Sequence, residues 1–230
     1  GRYCESVIVN STQTKQELIQ QLRFHKRKIQ IISLGVDERF EPKARDDRDY
    51  LVIGFIGNHA PRKRIDYLIK AFYHFKKEYP TIDAKLKIYG HCNRGCGTLH
   101  ALPRALRINN DVEFHGAVPE DMLVHVYNSF DVFVMPSDWE GFGLPILEAQ
   151  RCGVPVIIRA DAHIPEEVGR QCIKATTEQH MATLFHEILT KDFRDSVVQS
   201  GLRYSRLFTW ERTTDETFNL YESILETHDS

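Results

Sequence analysis

Long apolar runs are missing from this 230-residue chain: no stretch nears the length of a membrane-spanning helix, and no secretory leader is visible at its start, Gly1-Arg2-Tyr3. An excess of one charge is missing too. With 30 Lys and Arg against 32 Asp and Glu, the net charge of −2 exerts no general pull on nucleic acid or an anionic membrane. No internal repeat or low-complexity tract interrupts the chain. Cysteine is scarce, and the five positions (Cys4, Cys92, Cys96, Cys152, Cys172) are odd in number and scattered, which favours reduced thiols and a cytoplasmic protein. Cys92 and Cys96 sit close together beside His91. Their gap is not the usual two-residue spacing of a metal knuckle, and no second Cys/His pair follows, so plain loop thiols are expected ahead of a local disulfide, and no metal. His59, His91, His115 and His163 fall in loops after expected strands, no two of them spaced as a metal pair, and none is given a role.

What is present is an ordinary globular composition, 42% hydrophobic and 27% charged, with length for one large or two small domains. Cys4 to Asn10 reads as a strand, Ser11 as the cap of a helix running to about Phe24, and Ile29 to Ser33 as a second short strand. Gly35 to Pro42 leads into a charged stretch, Lys43 to Asp49, with the character of an exposed linker. From Tyr50 the periods alternate. Leu51–Ile56, Lys85–Tyr89, Val112–His115, Asp131–Met135 and Val154–Ile158 read as strands. Between them, Ile65 to Tyr79 repeats at three and four and stops at Pro80; Thr98 to Arg107 predicts a helix broken near Pro103, and Asp121 to Asn128 another. A helical tail runs through Met181, Leu184, Phe185, Ile188 and Leu189. A last helix opens at Thr209-Trp210, packed by Trp210, and continues through Tyr221, Ile224 and Leu225. Strands alternating with such helices predict an α/β fold: a Rossmann-like parallel sheet with helices on both faces.

The most informative block is Ser137-Asp138-Trp139-Glu140-Gly141-Phe142-Gly143-Leu144-Pro145-Ile146-Leu147-Glu148-Ala149. It follows a buried strand; Pro145 suits a first helical turn and Gly153 a helix stop. The amides of Gly143, Leu144 and Ile146 are expected to leave the helix start unpaired and attract an anion. Glu140 sits beside that anion and Glu148 about one turn into the helix, and ionised carboxylates each accept two hydroxyl donors from a polyhydroxyl ligand. A second block, Gly57-Asn58-His59-Ala60-Pro61-Arg62-Lys63-Arg64, follows the strand Leu51–Ile56 and precedes a helix. Gly57 permits close backbone approach, and the basic residues place positive charge there. A third, Val112 to Pro119, is a strand and turn ending near Val118, and Gly90 ends Lys87-Ile88-Tyr89.

At these residues the sequence resembles the retaining glycosyltransferases of glycosyltransferase family 4, which have the GT-B fold. Their signature is a Glu, seven residues and a Glu, with Gly-Phe-Gly-hydrophobic-Pro between and Ala-x-x-x-Gly-x-Pro-Val after; here it spans Glu140 to Glu148, then Ala149 to Val156. The family's Gly-Arg, four residues, Lys-Gly is matched by Gly57 and Lys63, but Asn58 stands where Arg is expected and Arg64 where Gly is, with Arg62 the candidate to supply the lost charge.

The resemblance implies a nucleotide diphosphate sugar as donor, UDP- or GDP-linked, with no cofactor. Lys63 and Glu140 would be catalytic. Lys63 and the Gly143 and Leu144 amides would stabilise charge on the leaving diphosphate, and Glu140 would orient the sugar. Gly57, Asn58, Arg62, Gly90, Val118, Gly141, Phe142, Gly143, Leu144 and Glu148 would bind donor, with Glu148 on the ribose and the Val118 backbone at the base. It also implies that residues 1–42 are the end of an N-terminal domain with its linker and 43–230 the donor domain. A sugar or lipid-linked glycan acceptor, and any peripheral membrane contact, would belong to the N-terminal domain, most of which is not in this chain. Nucleic acid is not an expected partner. A non-catalytic nucleotide-sugar-binding domain and a GT-B-type epimerase remain as alternatives.

Overall fold

The structure, a computed structural model, describes residues 4–44, 48–92 and 95–228. The Gly1-Arg2-Tyr3 start, positions 45–47 of the expected linker, and Asn93-Arg94 of the cysteine loop lie outside the described residues.

The first elements form a small unit. Val7–Val9 (β1) pairs in parallel with Ile29–Ile31 (β2), and between them runs Thr12–Leu22 (α1). The helix starts where expected because the Ser11 hydroxyl accepts the Thr14 N–H at 3.1 Å.

The rest is a six-stranded parallel sheet. Its strands and helices alternate: Leu51–Ile56 (β3), Ile65–Glu78 (α2), Ala84–Tyr89 (β4), Gly97–Ala105 (α3), Val112–His115 (β5), Leu123–Asn128 (α4), Val132–Met135 (β6), Leu144–Arg151 (α5), Val156–Arg159 (β7), Glu166–Gly169 (α6) and Ile173–Ala175 (β8). Glu178–Glu187 (α7), Lys191–Ser205 (α8) and Trp210–His228 (α9) complete the chain. The strand order is β5-β4-β3-β6-β7-β8. The chain winds outward from β3 to β5, returns, and winds outward the other way from β6. Right-handed crossovers therefore send α2 and α3 to one face and α5 and α6 to the other, and α7 then packs on α2 and α8 on α5. Both faces are covered, which is why β6 and β7 are buried end to end. Gly54 within β3 leaves room for Phe130, whose ring lies 2.3 Å from where a Cβ would stand.

Three expectations change. α3 is not broken at Pro103; it continues two residues further, and Ile108 N–H then returns to the Pro103 carbonyl at 2.9 Å. A proline near a helix end removes one N–H bond without forcing a stop. Trp210 does not pack the last helix down. It is 49% exposed, and Phe218, Tyr221 and Leu225 are exposed with it. That helix is tied instead through its start: Gly35 leaves space for the Thr209–Trp210 backbone, and Thr213 Oγ1 donates to the Ser33 carbonyl at 2.8 Å. Finally, β8, α6 and α8 are additional elements; two of them are only three and four residues long, too short to show a period.

Candidate functional site

β3 and β6 are neighbours at the point where the winding reverses, and in open α/β sheets ligands bind outside the carboxyl ends of such strands. The basic loop follows β3 and the acidic loop follows β6, so the fold brings together two blocks about 80 residues apart in sequence. Lys63 Nζ donates to Glu140 Oε1 at 2.6 Å, and both side chains are more than nine-tenths buried. Arg62 Nη1 lies 3.5 Å from Glu140 Oε2 and donates to the Trp139 carbonyl at 3.0 Å. Asp138 N–H donates to the Arg62 carbonyl at 2.8 Å, and Arg64 Nη1 to Asp138 Oδ1 at 3.2 Å. Three consecutive basic residues thus interlock with an acidic loop.

Behind that loop, β7 supplies a brace. Arg159 pairs with Asp138 and with Asp161, its guanidinium lying over the Tyr67 ring. Burial pulls the Asp138 carboxyl up, but hydrogen bonds from Arg159 and Arg64 outweigh it and hold the group below the usual aspartate range. Glu140 N–H donates to the His163 carbonyl at 3.0 Å, fixing the backbone as well as the side chain.

Arg64 explains its own departure from the family pattern. It adopts φ 48°, ψ 41°, the left-handed conformation that glycine takes without strain. Here the position is held by ion pairs to Asp66 and Asp138. Asn58 is exposed, and its Oδ1 accepts the Ala60 N–H at 3.4 Å; its side chain is neutral where the family has Arg. Arg62 is the second cation, beside Lys63, that reaches Glu140.

On the other side of the site, Gly143 adopts φ 103° and opens α5. Among the described residues its N–H and that of Leu144 have no hydrogen-bond partner. Ile146 differs from expectation: its N–H turns back to the Gly143 carbonyl at 2.9 Å, tightening the first turn and leaving two amides free instead of three. Glu148 projects from α5 to accept the Tyr127 hydroxyl at 2.7 Å. Burial raises the Glu148 carboxyl above its ordinary value, the Tyr127 hydrogen bond opposing, and burial next to this carboxylate raises the Tyr127 phenol well above its own.

The remaining candidates are partly structural. Phe142 is buried against Phe208, at 6.2 Å between rings, so its backbone and not its ring faces the loop. Gly141 offers its carbonyl to Ser11 Oγ at 3.3 Å, joining the acidic loop to α1. Gly90, at φ 140°, leaves space for the Gly57 carbonyl, which lies 1.8 Å from where a Cβ would stand; its glycine is required by the packing of one loop on another. Val118 lies beyond β5, two strands from β3, half-buried against the core.

Two features depart from expectation. Cys92 and Cys96 form a disulfide, correcting the expectation of loop thiols: the turn into α3 brings their Cα atoms to 6.1 Å, which sequence spacing alone does not fix. His59, given no role, is buried; burial first, then His100 and His91, lowers its pKa. A cavity of about 360 Å³ opens beside His59, Pro61, Ile65 and Leu102, and neither Lys63 nor either glutamate lines it. Among the described residues, no group of three or more His, Cys, Asp or Glu is arranged to hold a metal ion, and no helix is long and apolar enough to cross a membrane.

Known proteins are similar to the chain in sequence and in fold. O-antigen chain mannosyltransferase B of Escherichia coli is 31% identical over 177 residues, covering 74% of this chain and 45% of that protein. A D-inositol 3-phosphate glycosyltransferase of Actinosynnema mirum is 28% identical over 214 residues, covering 84% of this chain and 51% of that one. The chain thus spans about half the length of these relatives. Among solved structures, a glycosyltransferase from Rickettsia africae superposes with a TM-score of 0.83 at 18% identity, over 96% of this chain and 64% of that one. Anabaena Alr3699/HepE, solved with UDP and glucose, gives 0.82 at 20% identity, with coverages of 96% and 64%. The architecture is that of these GT-B glycosyltransferases. The family model for glycosyl transferases group 1 matches residues 36–196, which include the Gly57–Arg64 loop and both glutamates, and it is to this family that the chain belongs.

Proposed function

We propose that the chain is the donor-binding part of a retaining glycosyltransferase of family 4, taking a nucleotide diphosphate sugar at the carboxyl ends of β3 and β6. The observation that carries this is the buried Lys63–Glu140 contact beside two unpaired amides. An ammonium has three N–H groups and Glu140 occupies one, leaving others for a diphosphate. The Gly143 and Leu144 amides add donors at the start of α5, and together these groups would stabilise the charge that grows on the leaving diphosphate. Glu140, fixed by Lys63 and Arg62, is available to orient a sugar hydroxyl. Glu148 keeps one oxygen on Tyr127 and has the other for a ribose hydroxyl.

Solved relatives of the same architecture carry UDP or UDP-glucose, which makes UDP the first base to test and GDP the second. Residues 1–42 would close a preceding acceptor-binding domain, with the transferred sugar passing to its acceptor across the α1 side of the site. In that case the 230-residue chain alone performs no transfer, because catalysis needs both substrates held in attack geometry.

A melting-temperature panel of UDP, GDP and ADP with their sugar conjugates tests the reading. A ligand at a hundredfold excess over its Kd stabilises by about 2.7 kcal/mol. No shift with any of them at millimolar concentration would remove the proposal's support, and transfer by the isolated chain would show that the acceptor binds here after all.

A further inference from the structure

Beyond Gly90, the loop between β4 and α3 gathers soft and nitrogen ligands. Cys92, Cys96 and His100 recur at four-residue steps. Cys96 opens α3, and His100 N–H donates to the Cys96 carbonyl at 2.9 Å, so their side chains lie over the same side of the first turn. Cys92 is bonded to Cys96. A fourth donor arrives from the β3 loop: His59 Nδ1 lies 3.4 Å from His100 Nε2, and Cys96 Sγ lies 3.8 Å from the His59 carbonyl.

His59 is poorly satisfied as it stands. Its contact with His100 is long for an N–H···N bond, and its buried Nε2 has no partner among the described residues. The distance between the facing nitrogens suits something else. Two imidazoles on one tetrahedral zinc ion, with bonds of about 2.0–2.1 Å, hold their nitrogens roughly 3.3–3.4 Å apart.

We propose that Cys92, Cys96, His59 and His100 form a redox-gated zinc site of the Cys2His2 type, closed by the disulfide and opened to one Zn²⁺ by reduction. The site belongs to residues outside the donor-binding set and does not depend on the proposed activity. While the sulfurs are bonded to each other only two nitrogens are available, in keeping with the lack of a metal-ready cluster among the described residues. The reductant is a low-molecular-weight thiol. Its thiolate attacks the sulfur of exposed Cys92, the S–S bond breaks, and the electron pair leaves on buried Cys96. A second thiol resolves the mixed disulfide, so two thiols become one external disulfide and two cysteine thiols are left. Zn²⁺ then replaces the two thiol protons, which are released, while both imidazoles bind neutral. In either state the β4–α3 loop stays fastened to His59, and through it to the loop that carries Lys63.

Titration of the 230-residue chain with Zn²⁺ against a chromogenic chelator, and with Co²⁺ followed by absorption, tests the site. After anaerobic reduction one metal per chain is expected, with thiolate-to-cobalt charge-transfer bands and the intense ligand-field bands of tetrahedral cobalt; the oxidised chain should take up none. Cys92→Ser and His100→Ala, both at exposed positions, should each weaken zinc binding by at least roughly tenfold, the loss typical even of outer groups around a metal. Cys4→Ser should leave it unchanged. Unfolding curves of the metal-free variants matching the parent separate ligand loss from misfolding. Reduced parent protein without charge-transfer bands, His100→Ala that binds metal as tightly as the parent with unchanged ligand-field bands, or bands that vanish in Cys4→Ser, would overturn the assignment.

Discussion

Glu140 and Glu148 flank the same glycine-bearing loop, and the fold treats their charges in opposite ways. Glu140 is closed in by two cations, Lys63 at 2.6 Å and Arg62 at 3.5 Å, and its backbone is pinned to His163. Glu148 has a neutral partner, the Tyr127 hydroxyl, and burial works against its charge. A carboxylate neutralised in the free protein is set up to hold a position. One left short of donors gains most when a ligand brings hydroxyls to it. Identical side chains on one short loop and the helix it opens therefore have different energetic roles, decided by what the neighbouring strands deliver.

The sharpest way to break this contrast is Lys63→Ala. Removing one partner of a buried pair leaves the other charge uncompensated, a loss of about 3–5 kcal/mol, with Arg62 favouring the lower end. Urea unfolding measures it. Lys63→Met combined with Glu140→Gln should recover most of the stability and still fail to bind a nucleoside diphosphate in calorimetric titration, which separates folding from phosphate recognition. Unchanged stability in Lys63→Ala would mean that Glu140 is not fixed by this pair.

Tyr127→Phe attacks the other glutamate. It takes the hydrogen bond from an ionised group, and the expected loss is about 1.5–3 kcal/mol near neutral pH. Tyr127 favours the charged form of Glu148, whose carboxyl is raised in the folded state, so the loss should shrink as pH falls from neutral towards the ordinary glutamate range and be smallest below it. Urea melts across that range check the sign; a loss independent of pH would point to packing alone.

Glu148→Gln has a smaller effect of opposite sign. A carboxyl raised in the folded state binds more protons there than in the unfolded chain, so its charge costs stability above the ordinary pKa and nothing well below it. The variant should melt slightly higher than the parent at neutral pH, the gap closing in acid, while uridine and UDP both bind more weakly. A lower melting temperature would show that Glu148 is already satisfied without ligand.

The smallest change is expected from Arg64→Gly. Relief of the left-handed backbone and loss of the Asp138 pair oppose each other, leaving stability within about 1 kcal/mol of the parent. Added salt should narrow the difference that remains, since the pair is partly exposed and screened. A drop well beyond that range would make Arg64 a main support of the acidic loop.

Much of this was legible in the residues themselves. Leu51–Ile56 and Val112–His115 agree with the expected strands to the residue; the first is a central strand whose burial leaves an unbroken apolar run, and the second an edge strand in which apolar and polar residues alternate. Ser11 and Gly153 mark a helix start and stop because capping is chemistry local to a few residues. The site blocks were also visible, as was the misfit at Arg64, but its reason was not: nothing in a sequence states that a backbone angle is positive.

By itself the sequence determined where strands and helices alternate and which loops carry charge, since each depends on neighbours within a few positions. The tertiary structure alone decided that Lys63 closes on Glu140 and that Gly90 must admit the Gly57 carbonyl. It also decided that Cys92 meets Cys96 beside His59 and His100. These contacts, apart from the short cysteine loop, join segments tens of residues apart, and their geometry is set by the order in which the strands assemble.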